Sequence, residues 1–68
     1  MPLVEITLVS GRSPEELRAM ISAVTRAVSE TVAAPVAAIR VIIREVPTTH
    51  FAAGDVTIAE RKRCGPAT

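Results

Sequence analysis

The sequence predicts a small α/β (α+β) fold: a single βαβ unit with a short C-terminal strand or hairpin arm. Three observations predict it. Apolar residues alternate with polar ones from Val4 through Ile6 to Leu8. They then recur every three or four residues from Leu17 to Val32, and a β-branched run follows around Val41, Ile42 and Ile43. A period of two, then a period near 3.6, then an apolar run mark a strand, a helix and a second strand. Strands joined through a helix lie parallel, with a right-handed crossover.

The first strand is expected over Leu3 to Val9, with Val4, Ile6 and Leu8 on one face and Leu3, Glu5, Thr7 and Val9 on the other. Ser10-Gly11-Arg12 interrupts it. Ser13 then suits a helix cap, Pro14 the first helical position, and Glu16 the reciprocal position of a capping box. The helix runs for roughly five turns at 3.6 residues each, with Leu17, Met20, Ile21, Val24, Val28 and Val32 inward. It closes at Val32-Ala33-Ala34, because the residue before Pro35 is pushed out of helical geometry. The second strand is expected over Ala38 to Val46, ended by Pro47. Residues 47–55 read as a loop, Val56 to Ala59 as a short strand or hairpin arm, and Arg61-Lys62-Arg63 as a solvated basic tail. The domain is placed at residues 1–63, with 64–68 as a tail.

Sixty-eight residues form one small domain, whose core alone supplies only about 3–5 kcal/mol. The lone Cys64 excludes an internal disulfide, and with His50 it cannot make a structural zinc site. An unpaired thiol, no apolar run of membrane length and no signal-peptide pattern together predict a soluble cytoplasmic protein with no membrane partner. A net charge of +1 and a basic run without interleaved aromatics argue against nucleic acid. Two strands that are apolar on both faces and served by one helix leave one sheet face bare, whereas parallel sheets are normally covered on both. A second copy is the most economical cover, so the sheet is expected to be completed in a homo-oligomer.

Removal of Met1 would leave Pro2 as a free secondary amine fixed to the start of a strand, and therefore a candidate base. Arg12 follows a glycine beside a helix N-terminus, where negative charge is favoured. Arg40 interrupts an apolar run, so its guanidinium needs a partner, an edge or a polar cavity, and an intersubunit ion pair is its ordinary use. Arg44, on the same side of the strand, is expected to pair with a glutamate. Phe51, the sole aromatic, suits a core or interface plug. His50 reads as an exposed loop histidine, and Cys64 is given no role.

Pro2, Gly11-Arg12-Ser13, Ala34-Pro35, Ile39-Arg40-Val41-Ile42-Ile43 with Glu45, and His50-Phe51 followed by Gly54 stand in the order and spacing of a known family. Over roughly residues 2–63 the chain resembles the 4-oxalocrotonate tautomerase family of amino-terminal proline enzymes. The resemblance implies a βαβ protomer with a C-terminal hairpin, paired into dimers and usually assembled as a hexamer, a trimer of dimers. It implies Pro2, Arg12 and Arg40 as catalytic residues. The proline nitrogen is the general base, while the arginines bind substrate carboxylates and polarise the oxygen, one of them coming from a neighbouring subunit. Phe51 walls in the proline, and Leu8 is counted with Arg12, Arg40 and Phe51 as substrate-binding.

The reaction implied is ketonisation of an enol acid such as 2-hydroxymuconate, with no metal or organic cofactor, in aromatic degradation or in biosynthesis. Simple chemistry agrees with these roles. An α-amino group titrates near about 7.7–8.0, and burial beside Phe51 with a nearby arginine would lower it; two units require ~2.7 kcal/mol. Two departures stand out. Ala53 lies where water-adding relatives carry a carboxylate, and Val9 where dehalogenases carry an arginine, which leaves Asp55 as the nearby substitute. A hydratase or dehalogenase, or a non-catalytic oligomeric binding module whose arginines serve interfaces, are the competing readings.

Overall fold

Alternation along the first strand decides which face of the sheet the helix covers. The computed structural model describes residues 2–63; the removal of Met1, the role of Cys64 and the 64–68 tail lie outside the described residues. Strand β1 (Leu3–Val9) is followed by helix α1 (Pro14–Val32) and strand β2 (Arg40–Val46). β1 and β2 pair in parallel, from Leu3 opposite Arg40 to Val9 opposite Val46. Val4, Ile6 and Leu8 are half-buried, as are Val41 and Ile43, whereas Leu3, Glu5, Thr7, Arg40, Ile42 and Arg44 are exposed. Helix α1 therefore covers one face of the sheet and leaves the other open.

The start of α1 follows from its capping box. Glu16 donates its backbone N–H to Ser13 Oγ at 3.1 Å, and Ser13 N–H donates to Glu16 Oε1 at 2.9 Å. Such a cap stabilises a helix by about 1 kcal/mol. At the other end Ala33 takes the left-handed conformation (φ 57°, ψ 38°), and Ser29 Oγ donates to Ala34 O at 2.7 Å.

Two boundaries differ from expectation. β2 begins at Arg40 rather than Ala38, because Val36–Ala38 form a 3₁₀ turn after Pro35. The N–H groups of Ala38 and Ile39 close that turn onto Pro35 O and Val36 O, so they are spent before the ladder begins. The end of the chain differs more. Strands β3 (Ala52–Ala53) and β4 (Val56–Thr57) form an antiparallel hairpin, and Ile58 and Ala59 open helix α2 (Ile58–Arg63) instead of extending a strand. A second capping box starts α2: Glu60 N–H donates to Thr57 Oγ1 at 3.1 Å and Thr57 N–H to Glu60 Oε1 at 2.8 Å. Arg61 is consequently half-buried rather than part of a solvated tail, with Nη2 donating to Ala53 O at 3.2 Å. The hairpin turn is Gly54-Asp55, both with positive φ (59° and 70°), as a two-residue type I′ turn requires.

Ile39 is the only buried hydrophobic residue among those described, at 9% exposure. The accessible surface is 5000 Å², against about 4,100 Å² for a compact chain of this mass. The radius of gyration is 15.3 Å, against about 11 Å expected for this length. The protomer is elongated and hides little of its apolar surface.

Candidate active site

Pro2 precedes β1 by one residue and is half-buried. Its carbonyl accepts the Arg40 N–H at 3.0 Å, which prolongs the parallel ladder and pins Pro2 at the N-terminal end of the sheet. Lacking an N–H, a proline contributes only its carbonyl to a ladder, and its nitrogen stays outside the backbone bonding. Arg40 begins β2 beside it, with an exposed side chain on the uncovered face and Nη1 donating to Ala37 O at 3.3 Å. Parallel pairing thus brings two of the expected catalytic residues to one end.

Arg12 sits at the opposite end. Ser10 N–H donates to Val46 O at 2.8 Å, closing the ladder there, and Gly11 at φ 130° turns the chain toward α1. A side-chain-bearing residue rarely adopts that backbone angle, which is why glycine suits it. Arg12 is exposed, its Nη1 resting 3.5 Å from Val9 O. At 3.3 Å per residue, β1 holds Pro2 and Arg12 roughly 23 Å or more apart. Phe51 follows β2 at the Arg12 end, five residues beyond Val46, with its carbonyl bonded to Ile58 N–H at 2.9 Å and its side chain 37% exposed. One chain therefore brings together Pro2 and Arg40 but leaves Arg12 and Phe51 at the other end of the sheet.

Leu8 lies among the half-buried residues of the helix-covered face, whereas Val9, next to the Arg12 turn, has the parity of the open face. Arg44 does not reach a glutamate: its Nη1 contacts its cross-strand neighbour Thr7 Oγ1 at 3.5 Å. Glu45 has the opposite strand parity, and Glu5 lies one step along β1 from Thr7 on the open face. His50 closes the 3₁₀ turn Thr48–His50 and is exposed, and Asp55 occupies the hairpin turn. Among the described residues, no group of three or more His, Cys, Asp or Glu side chains is placed to hold a metal, and no helix is long and apolar enough to cross a membrane. The packed role of Arg61 was missed in the sequence, although Thr57-Ile58-Ala59-Glu60 is a capping-box pattern that marks the helix carrying it.

The family model for tautomerase enzymes matches residues 2–61. A 2-hydroxymuconate tautomerase of Comamonas testosteroni is 41% identical over 63 residues, covering 93% of this chain and all of that one. This chain belongs to the 4-oxalocrotonate tautomerase family. Membership makes it an isomerase of the tautomerase type. Among solved structures, the 4-oxalocrotonate tautomerase homologue TomN of the tomaymycin biosynthetic pathway superposes with a TM-score of 0.90 at 44% identity, covering 91% of this chain and 95% of that one. A heterohexameric 4-oxalocrotonate tautomerase from Chloroflexus aurantiacus superposes with a TM-score of 0.86 at 38% identity, covering 88% and 97%. The βαβ unit followed by C-terminal strands is thus the fold of this tautomerase family.

Proposed function

We propose that the protein is a cofactor-independent keto–enol tautomerase acting on a 2-hydroxy-dienoate, such as 2-hydroxymuconate, or a related enol acid. Its base is the amino-terminal nitrogen of Pro2 once Met1 is removed. The observation that carries this reading is the Pro2 carbonyl bonded to the Arg40 N–H. That bond sets a potential secondary amine and a permanent cation at the same end of the sheet. In the reaction the amine takes the 2-hydroxyl proton, the O–H electron pair becomes the carbonyl π bond, and the diene electrons shift along the chain. The ammonium then returns its proton to carbon, so nothing is gained or lost overall.

Arg40 and Arg12 bind the carboxylate groups and the oxygen on which charge develops, because a guanidinium fork matches carboxylate geometry. Arg12 and Phe51 reach Pro2 from a neighbouring copy, since their own end of the sheet is distant. Leu8 packs toward its own helix, so the apolar wall beside Arg12 is assigned to Val9. The Comamonas relative's name, 2-hydroxymuconate tautomerase, supports enol-acid chemistry, and TomN's place in the tomaymycin biosynthetic pathway supports a biosynthetic setting as one option. The Chloroflexus heterohexamer supports an assembly of the hexameric kind. Asp55, held in the hairpin turn, does not favour the water-adding alternative. The unpaired Cys64 agrees with a cytoplasmic setting.

The test is the ultraviolet decay of 2-hydroxymuconate or phenylenolpyruvate, using protein shown by intact mass to lack Met1. A general base contributes about 10²- to 10⁴-fold, and Pro2→Ala should lose an effect of that size. Because the base must be unprotonated, kcat/KM should be low in acid and rise with pH as the amine loses its proton. Full activity in both Pro2→Ala and Arg12→Ala would sink the proposal.

A further inference from the structure

Helix α2 is tied to the hairpin before it by a side chain that is a poor choice for stability alone. Arg61 is half-buried, with Nη2 donating to Ala53 O at 3.2 Å. Its Nε is buried and has no hydrogen-bond partner. A buried donor left unpaired opposes folding, and an arginine placed only for solubility would turn that nitrogen to water. Methionine would fill similar space without the orphaned N–H. The guanidinium is therefore explained by what it holds.

Ala53 and its partner Val56 flank the Gly54-Asp55 turn, and Ala52 pairs with Thr57. Two residue pairs make a hairpin too short to fix its own angle to the rest of the chain. The turn shapes the hairpin, the Thr57–Glu60 box starts α2, and the bond from Ile58 N–H to Phe51 O closes the base. Arg61 adds a tie from the body of α2 to the stem beside the turn. On its other side α2 packs against the 3₁₀ turn Thr48–His50. Phe51 stands between that turn and β3, so α2 holds both of its flanks.

We propose that Arg61 is a positioning residue for the tautomerase reaction: its bond to Ala53 O fixes the segment carrying Phe51, and through Phe51 it keeps water from the Pro2 amine. The inference rests on the reading above, in which Phe51 walls in that amine. A drier amine is a stronger candidate base at neutral pH, because burial disfavours its charged form. Arg40, the cation bonded beside Pro2 through its backbone, is left in place by any change at Arg61. The other charged groups on the elements around Arg61 are His50 of the 3₁₀ turn, Asp55 of the hairpin turn, and Glu60, Lys62 and Arg63 of α2.

The experiment uses the full chain, shown by intact mass to lack Met1. Arg61→Met should unfold in urea close to the unmodified protein, yet the acid limb of kcat/KM should move up by about 0.5–1 pH unit, since a wetter amine keeps its proton longer. Phe51→Ala should move the limb at least as far, and adding Arg61→Met to it should move the limb no farther. An unmoved limb in Arg61→Met overturns the proposal. So does a further shift in the double variant, which is the result expected of a cation acting by its charge alone. Should Arg61→Met fail to fold, Thr57→Val takes its place by removing a cap of the helix that carries Arg61: a moved limb supports the proposal, and an unmoved one overturns it.

Hydrogen exchange at the Ile58 amide separates this inference from the reaction itself. The bond from that amide to Phe51 O should open about tenfold more often in Arg61→Met, whether or not any enol is turned over. Unchanged exchange overturns the hold on Phe51. Faster exchange in the variant, with no tautomerase activity in the unmodified chain, counts against the reaction and not against the hold.

Discussion

The two ends of the parallel sheet differ in what they hold. At the N-terminal end, Pro2 and Arg40 are locked together by one backbone hydrogen bond, with Ala33 and the 3₁₀ turn Val36–Ala38 close by. At the C-terminal end, Gly11 turns the chain, Ser13 caps α1, and Arg12 and Phe51 depart exposed. One end carries the candidate base and a cation fixed by the ladder; the other carries a second cation, Arg12, and the sole aromatic, Phe51. Parallel strands always gather their N-termini at one end, so a βαβ unit of this size separates Pro2 and Arg40 from Arg12 and Phe51.

The largest effect should come from blocking the first end. Protein that retains Met1 has an amide in place of the Pro2 amine and should lose about 10²- to 10⁴-fold in kcat, the range of a missing general base. Intact mass and the ultraviolet assay on separated processed and unprocessed forms check this, and equal rates would break the distinction between the two ends. Next come the arginines. Arg12→Ala and Arg40→Ala should each weaken kcat/KM by roughly 10- to 100-fold, as expected for a lost hydrogen bond to a charged group. Lysine at either position should recover little, because it lacks the bidentate fork. Steady-state kinetics on the four variants decide this, and a silent Arg12→Ala would reduce the C-terminal end to a structural turn.

Smaller effects test the helix ends. Ser13→Ala removes the capping box at the Arg12 end and should cost about 1 kcal/mol. Urea unfolding at matched protein concentration measures it. Ala33→Gly, at the Pro2 end, should act in the opposite direction and stabilise by about 0.5–1 kcal/mol, since alanine occupies a left-handed position that suits glycine. A loss of stability there would mean that the gain in unfolded-chain entropy outweighs the relieved strain.

Much of the fold was legible because local signals were strong. Alternation from Val4 to Leu8 marked β1, and Ser13-Pro14-Glu15-Glu16 marked the start of α1. The start of β2 was less so: Ala38 and Ile39 fit a strand by composition, yet Pro35 begins a turn that takes their N–H groups. Ile58 and Ala59 also suit a strand, but the Thr57–Glu60 box starts a helix at the same place. Pro2, Arg12, Arg40 and Phe51 were readable as residue types in order, and the parallel register explains why Pro2 and Arg40 meet. Their distance from Arg12 and Phe51 depends on strand length and direction, which no single motif encodes. Strand parity keeps Leu8 on the helix-covered face with Val4 and Ile6, as the alternation implied, but sends Arg44 to Thr7 instead of the expected glutamate.

A chain whose only buried hydrophobic residue among those described is Ile39 has little reason to stay folded alone, and this bears on dosage. In the proposed oligomer, stability supplied by a partner copy would grow with protein concentration. Specific activity should then fall on dilution in the assay cuvette, and a cell expressing the protein weakly would gain less than proportional flux from each molecule made.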